Sequence, residues 1–275
     1  MSLRLALLGT GAMADYQRAK FAAMEGVEVA ACYDVDGAKA VDFARTHGIA
    51  KSYDDLDELL SSAPHAVSCC LVDSLHYQAG LKVLQGGIPL FCEKPLANTL
   101  PRARELAELA SRSGIAMVNL SKRNAPALYA LKSVLDNGTL GTIESIEAHY
   151  RQGWVLTKVW GDWAITPRWK WRLQNEFSTA GVVGDLGVHL MDALIFLFGP
   201  PRQGSTLILR DLPAAMRAGL VPFCELDASL KTGEGERPAY VDLDAELNFG
   251  VPCHFSVSWI EIGRASCRER VCQYV

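Results

Sequence analysis

Residues 3–14 read LRLALLGTGAMA, in which a short apolar run is followed by a glycine-containing turn and then by helix-forming residues. The spacing matches G-x-G-x-x-A: Gly9 permits a tight turn, Gly11 lets the backbone approach a phosphate, and Ala14 lets the helix pack closely on the strand. The N–H groups that open such a helix attract anions, as does the helix dipole. We therefore predict a strand, a turn and a helix that bind the pyrophosphate of a dinucleotide.

The residues around this turn indicate which dinucleotide it binds. Thr10, Ala12 and Met13 complete the predicted phosphate-binding turn. Asp34 closes the second apolar run, where a carboxylate accepts hydrogen bonds from the adenosine ribose and repels a 2′-phosphate. We therefore expect NAD as the cofactor in preference to NADP. The alternative interpretation is an ordinary glycine turn, with Asp34 capping a loop.

The first part of the chain alternates short apolar runs with helical segments. Nearly continuous apolar strands that alternate with helices are typical of a parallel sheet covered on both faces. We therefore predict an α/β fold, a doubly wound Rossmann domain that occupies residues 1–121. Its expected strands are the apolar runs LRLALLG, VEVAACYD, AVSCCLV, IPLFCEK and IAMVNLS.

The pattern changes after Lys122. Helices are predicted at about 127–137 and 184–198, with a tryptophan-rich loop between them. Clean alternation of apolar and polar residues is typical of an antiparallel sheet with one open face. We predict an α+β domain over residues 122–260, with an open-faced, largely antiparallel sheet that serves substrate binding and oligomerisation. The alternating apolar positions are Val241, Leu243, Ala245, Leu247, Phe249, Phe255, Val257 and Trp259.

The last fifteen residues, 261–275, do not continue this alternation. The segment EIGRASCRERV carries Arg264, Arg268 and Arg270, and it resembles the in-frame translation of a sequencing adapter. We expect residues 261–275 to be a non-native tail on a truncated second domain, because such scars lie outside a fold. The alternative is a genuine basic terminal strand or tail.

Composition excludes several classes of partner. The chain of 275 residues has 27 basic and 31 acidic side chains, for a formal net charge of −4, so no basic stripe indicates nucleic acid or an anionic membrane. No apolar run reaches the roughly 18 residues that span a bilayer. The eight cysteines lack zinc-ligand spacing and several lie in apolar runs, which favours reduced core thiols in a cytoplasmic protein.

Glu93, Lys94 and Pro95 follow the apolar run IPLFC directly. In an open α/β sheet, ligands bind beyond the carboxyl ends of the strands, so these charges lie at the edge where a dinucleotide binds. We expect Lys94 to reach a substrate hydroxyl or carbonyl and Glu93 to turn toward the nicotinamide ribose. The alternative is a solvated ion pair that contributes little stability.

A second charged motif, GDLGVH at residues 184–189, opens the later predicted helix. Asp185 and His189 are four positions apart and would share one face of an α-helix. A histidine near a carboxylate suits proton transfer near neutral pH. The alternative is an acid that stabilises the start of the helix, with a surface histidine.

In chain order, the glycine turn, the E-K-P triplet and the G-D-x-G-x-H helix resemble the Gfo/Idh/MocA oxidoreductases over residues 3–260. The resemblance implies that Lys94, Asp185 and His189 are catalytic, and that the bond before Pro95 is often cis. It also implies that Asn119 lies on the nicotinamide side and that Arg123, Trp171 and Arg172 lie on the substrate side. We further assign His76 and Glu93 to the cofactor, and we assign no metal-binding residue.

Two stretches depart from the family pattern. Leu71-Val72 stands where the family usually carries Thr-Pro, and residues 179–183 are poorer in glycine than is usual. These differences concern the loop expected near the nicotinamide more than the class of enzyme.

We therefore predict an NAD-dependent oxidoreductase that acts on a secondary alcohol or carbonyl of a sugar, an inositol or a related polyol. The full-length form is expected to be a homo-oligomer. The resemblance leaves two alternatives open, an NAD-dependent glycosidase and a non-catalytic NAD-binding regulator, since a fold alone does not fix a function.

Overall fold

The chain divides into two units, Met1–Asn119 and Leu120–Val275. The predicted domain bounds, with a division between residues 121 and 122, stay a prediction. The computed structural model describes residues 2–113, 115–154, 161, 181–199, 208–210, 240–247 and 251–258. Within these ranges, no helix combines the length and the apolar character that crossing a membrane requires.

A six-stranded parallel sheet forms the centre of the first unit. Its strand order is β3-β2-β1-β4-β5-β6, and every neighbouring pair is parallel. The predicted doubly wound Rossmann fold is therefore confirmed; the short β3 is an additional strand that the apolar pattern did not predict. The strands are β1 (Leu3–Leu8), β2 (Val27–Tyr33), β3 (Lys51–Tyr53), β4 (Ala66–Cys69), β5 (Leu90–Glu93) and β6 (Ala116–Asn119).

Five helices connect these strands, and local side chains fix where two of them begin. Asp36 accepts a hydrogen bond from the backbone N–H of Lys39, and Asp55 caps the next helix in the same way. Gly48, at φ +67°, ends the second helix in the left-handed conformation that favours glycine. The helices are α1 (Ala12–Ala22), α2 (Gly37–His47), α3 (Leu56–Ser61), α4 (Asp73–Gln85) and α5 (Leu100–Ser113).

Both faces of this sheet are buried, as the continuous apolar strands predict. Leu5 and Leu7 of β1 belong to one core cluster together with Phe43 of α2, whereas Ala6 and Leu8 belong to another. Successive side chains of a strand point to opposite faces, so a strand between two helical layers must be apolar throughout.

Gly9 fixes the distance between the β1–α1 turn and the end of β4. Its φ is +90°, and a Cβ at this position would lie 2.8 Å from the backbone oxygen of Cys70. Any larger residue would therefore meet both a backbone atom and an unfavourable conformation. This close approach draws the turn onto the carboxyl edge of the sheet.

The second unit contains α6 (Pro126–Asp136), a π-helical turn (Val183–Gly187) that leads into α7 (Val188–Phe198), and a four-stranded sheet. The sheet has the order β7-β10-β9-β8, with the pairs β10–β9 and β9–β8 antiparallel and β10–β7 parallel. It is therefore largely antiparallel, as predicted. Its strands are β7 (Ile146–Arg151), β8 (Ile208–Arg210), β9 (Tyr240–Leu247) and β10 (Val251–Ser258).

Alternation in β10 matches the prediction of one apolar face. Cys253, Phe255 and Val257 are buried in one cluster with Leu186 of the π-helical turn. Trp154 is 2% exposed in the same cluster, so this tryptophan packs the core of the second unit.

An ion pair joins α7 to a 3₁₀ turn, Ser121–Asn124, that precedes α6. The guanidinium of Arg123 donates to both carboxylate oxygens of Asp192, with Nε 3.0 Å from Oδ2. Its Cζ also lies 5.5 Å from the ring centroid of Phe196. The hydrogen bonds to Asp192 raise the pKa of Arg123 above its usual value. The Asp192 side chain is 9% exposed and that of Arg123 is 41% exposed. Water can therefore solvate Arg123 more readily than Asp192, whose charge is compensated mainly by Arg123.

We expect Gly9→Ala to lower the free energy of unfolding by about 2–4 kcal/mol, because both the backbone conformation and the contact with Cys70 are unfavourable. Gly26→Ala is the matched control: Gly26 has φ +75°, but a Cβ there meets nothing within 4 Å. That change should cost only about 1–2 kcal/mol. Urea unfolding followed by circular dichroism measures both, and equal losses would contradict the close-approach interpretation.

Removal of Arg123 should cost more stability than removal of its partner. Arg123→Ala leaves a buried carboxylate without this guanidinium, and we expect a loss of about 2 kcal/mol in the free energy of unfolding. Asp192→Ala should cost less, because water reaches the remaining guanidinium.

Lys132→Ala provides the control for this pair. It removes an ion pair to Asp136, in which the two side chains are 32% and 59% exposed, and it should cost less than about 1 kcal/mol. Similar losses for Arg123→Ala and Lys132→Ala, measured by urea unfolding, would show that the Arg123–Asp192 pair contributes no more than a surface pair.

Candidate functional site

The start of α1 has the features of a phosphate-binding turn. Gly11 is the N-cap of α1, and no side chain caps it. A Cβ added at Gly11 would meet nothing within 4 Å, so the space beside this backbone is open. Ala14 is fully buried against the sheet, as the spacing of the motif predicts. These residues fit a dinucleotide pyrophosphate, because the helix start offers its N–H groups to open space.

Asp34 lies beside this turn at the end of β2. Its Oδ2 accepts hydrogen bonds from the backbone N–H of Thr10 at 3.0 Å and from the Thr10 hydroxyl at 2.7 Å. Its Oδ1 accepts one from the backbone N–H of Asp36 at 3.1 Å. The carboxylate is thus held in a fixed orientation against the glycine turn. The structure therefore brings together two features that the sequence places 24 residues apart.

Glu93 is part of a buried chain of hydrogen bonds along the carboxyl edge of the sheet. Its Oε1 accepts hydrogen bonds from the side-chain amides of Asn119, at 2.7 Å, and of Gln17. The amide oxygen of Gln17 in turn accepts from the hydroxyl of Ser68. Gln17, Ser68 and Glu93 are all buried. Glu93 and Asn119, which the sequence assigns separately to the cofactor, are thus hydrogen-bonded to each other, and their role toward the cofactor stays a prediction. Gln17 and Ser68 gave no sequence signal.

Lys94 and Pro95 follow Glu93 in a loop at the same edge. The Lys94–Pro95 bond is cis, as the family resemblance implied. The Lys94 side chain is half-buried. Because β5 ends at the buried Glu93, Lys94 lies at the carboxyl edge of the sheet, to which the nucleotide turn also belongs.

His76, whose role in cofactor binding stays a prediction, lies against this loop. It is 1% exposed, on α4. Its Nδ1 lies 2.7 Å from the carbonyl oxygen of Pro95, and its Nε2 lies 2.9 Å from that of Leu71. His76 thus connects the loop after β5 with the loop after β4, which is the stretch where the sequence departs from the family pattern.

Two buried cysteines lie next to His76. Cys69 and Cys92 are register partners on β4 and β5, and their sulfur atoms and a His76 ring nitrogen all lie within 4.8 Å of one another. The hydrogen bond from Cys92 lowers the pKa of Cys69 to about 7, with the nearby charge of His76 acting in the same direction and burial opposing it. The same hydrogen bond raises the pKa of Cys92, because that thiol keeps the shared proton.

In the second unit, Asp185 belongs to the π-helical turn and His189 to the first turn of α7. The prediction of a regular α-helix from Gly184 is therefore wrong for its first residues. Because the hydrogen bonds of a π turn span five residues instead of four, the spacing rule that placed Asp185 and His189 on one α-helical face does not apply directly. Both side chains are half-buried.

Three of the predicted substrate residues have different outcomes. Arg123 is held by Asp192, as described above, and retains partial exposure. Trp171 and Arg172 lie outside the described residues, as does the predicted tail at 261–275. The described cysteines, which are free thiols, are Cys32, Cys69, Cys70, Cys92 and Cys253.

Known proteins match both units. Residues 3–120 match the family described as an oxidoreductase family with an NAD-binding Rossmann fold, and residues 128–272 match the GFO/IDH/MocA C-terminal domain. The chain is 28% identical to glucose-6-phosphate 3-dehydrogenase of Bacillus subtilis over 71% of its own length and 53% of that protein. It is 32% identical to inositol 2-dehydrogenase of Paracoccus denitrificans, over 93% of its length and 69% of that protein.

Solved structures show the same fold. Levoglucosan dehydrogenase in complex with NADH and levoglucosan superimposes with a TM-score of 0.76 at 21% identity, covering 96% of this chain and 69% of that one. The chain spans about half the length of the sugar dehydrogenases from Bacillus subtilis and Escherichia coli, at 53% and 55%. The two domain matches, in the order that the sequence motifs predict, show that the chain belongs to the Gfo/Idh/MocA oxidoreductase family.

Proposed function

We propose that the chain is an NAD-dependent oxidoreductase that acts on a secondary alcohol, or the corresponding carbonyl, of a sugar, an inositol or a related polyol. The observation that carries the proposal is the carboxyl edge of the parallel sheet. There, the open glycine turn and Asp34 lie on one side, and Lys94 follows the buried Glu93 on the other.

The residues that would hold NAD belong to the first unit. Gly9, Thr10, Gly11, Ala12 and Met13 present the start of α1 to the pyrophosphate. Asp34 accepts hydrogen bonds from the adenosine ribose hydroxyls, and its negative charge disfavours the 2′-phosphate of NADP. Glu93 and Asn119, which are hydrogen-bonded to each other, would lie on the nicotinamide side of the cofactor.

The names of the relatives support the substrate class. They include a glucose-6-phosphate 3-dehydrogenase, a D-glucoside 3-dehydrogenase and an inositol 2-dehydrogenase. All three names denote oxidation of a ring hydroxyl. The relatives differ in the ring and in the position oxidised, so the proposal for this chain names a class of substrate and no individual compound.

The chain's own residues orient the substrate and move its proton. Bound NAD would supply the acceptor for the hydride that leaves the carbon carrying the reacting hydroxyl. Lys94 donates a hydrogen bond to the reacting oxygen and stabilises the negative charge that develops there. His189 accepts the hydroxyl proton as a general base, and Asp185 orients His189 or binds a neighbouring hydroxyl.

Two further proposals concern the setting of the protein. We propose a homo-oligomeric full-length form, which size-exclusion chromatography with light scattering tests directly. We also propose a cytoplasmic location, because the described cysteines are free thiols and disulfides are rare in that compartment.

Replacement of Lys94 tests the central assignment. Lys94→Met keeps an apolar side chain of similar length but removes the donor and its charge. We expect turnover to fall roughly 10²- to 10⁴-fold, with the affinity for NADH within about twofold of the parent. NADH formation, followed by absorbance over a panel of sugars, glucosides and inositols, measures turnover, and a fluorescence titration measures NADH binding.

Lys51→Met is the matched control, since Lys51 is an exposed lysine on β3. Unchanged turnover in Lys94→Met would contradict the proposed role of Lys94.

An assay on aryl glycosides without added NAD distinguishes the glycosidase alternative, because only a glycosidase releases sugar without net change in cofactor. NADH binding without turnover of any substrate would instead favour the regulator.

A further inference from the structure

His76 occupies a position in which both of its ring nitrogens face carbonyl oxygens. Nδ1 lies 2.7 Å from the oxygen of Pro95, and Nε2 lies 2.9 Å from the oxygen of Leu71. A carbonyl oxygen only accepts hydrogen bonds, and a neutral imidazole has one N–H donor and one acceptor nitrogen. Both contacts are therefore hydrogen bonds only when the ring carries two protons and a positive charge.

A positive ring at a site that is 1% exposed requires a compensating negative group. Two candidates are the sulfur atoms of Cys69 and Cys92, which lie within 4.8 Å of a ring nitrogen of His76. Cys92 donates its thiol proton toward Cys69, which favours negative charge on the Cys69 sulfur. Glu93 on β5 and the thiol of Cys70, which follows β4, also act electrostatically on these thiols. Asp73 lies on α4, three residues before His76.

We propose that His76 is an imidazolium that holds the carbonyls of Leu71 and Pro95 together, with the Cys69 sulfur as its counter-charge. The bond to Pro95 anchors the residue after Lys94, so His76 acts on the reaction through the loop and is a positioning residue. The positioning role of His76 rests on the proposed function of Lys94, whereas the proposed charge on His76 is independent of that function.

The same three side chains have the composition of a site for a soft metal ion, because two thiolates and an imidazole suit zinc or copper. A metal ligand needs a nitrogen lone pair, however, and both ring nitrogens are directed at carbonyl oxygens. Metal binding would require one of these contacts to break. The observed geometry therefore favours the ion pair.

The charge state is tested by NMR of the chain labelled with nitrogen-15 in histidine. An imidazolium gives two protonated ring nitrogens with similar chemical shifts, whereas a neutral ring gives two well-separated shifts. We expect one of the six histidines to show the imidazolium pattern at a pH where exposed histidines are neutral. Its signal should be absent from His76→Gln. A neutral pattern for His76 at neutral pH would overturn the proposal, whatever the activity.

The counter-charge is tested in the same spectra. In Cys69→Ser the imidazolium pattern should disappear at a lower pH than in the parent, because the ring has lost its negative neighbour. Cys32→Ser, which changes a buried cysteine in the other core cluster, should leave it unchanged. If the imidazolium pattern disappeared at the same pH in Cys69→Ser and in the parent, Cys69 would be excluded as the counter-charge of His76.

Two variants separate positioning from general stability. The amide nitrogen of asparagine can replace Nδ1 of histidine, so His76→Asn can keep the bond to Pro95. The amide of glutamine replaces Nε2 instead, so His76→Gln can keep only the bond to Leu71. We expect His76→Gln to lower kcat on the order of 10²-fold, His76→Asn to lower it much less, and KM for NAD to change little in either.

His65→Gln is the matched control, since His65 precedes β4 at the opposite edge of the sheet and contacts Arg4. If His76→Gln and His76→Asn lost equal amounts of kcat, and these losses followed the decreases in melting temperature, the result would contradict a positioning role. If the parent chain turns over no substrate, the proposed function fails while the NMR result still decides the charge on His76.

Discussion

The buried carboxylate of Glu93 is the constraint on which the carboxyl edge of the sheet depends. It accepts hydrogen bonds from Gln17 on α1 and Asn119 on β6, and Gln17 accepts one from Ser68 on β4. A buried charge without such donors would cost several kcal/mol. Four elements must therefore keep their places together, and the loop that carries Lys94 begins at the point where they meet.

The nucleotide turn and the Lys94 loop are held to this edge by separate contacts. Gly9 allows the turn to approach the backbone of Cys70, and Asp34 secures Thr10 from the other side. His76 reaches from α4 to the carbonyls of Leu71 and Pro95. The regions that we assign to NAD and to the substrate oxygen are thus held by interactions within one unit.

Much of this arrangement could be predicted because it follows local rules. The G-x-G-x-x-A spacing, the acid at Asp34 and the E-K-P triplet each lie within a few residues of a strand end, where parallel-sheet topology fixes their location. The hydrogen bonds of Gln17 could not be predicted, because its partners lie 51 and 76 residues away in sequence. The π turn around Asp185 also escaped prediction, since the residue types are compatible with an ordinary α-helix.

The most direct measurement is an equilibrium titration of the 275-residue chain with NADH and with NADPH, followed by nicotinamide fluorescence. We expect NADH to bind saturably and more tightly than NADPH, because Asp34 accepts the ribose hydroxyls and repels a 2′-phosphate. Asp34→Ala should reduce that preference. Failure of the chain to bind either dinucleotide, or tighter binding of NADPH, would contradict the assignment of this edge to NAD.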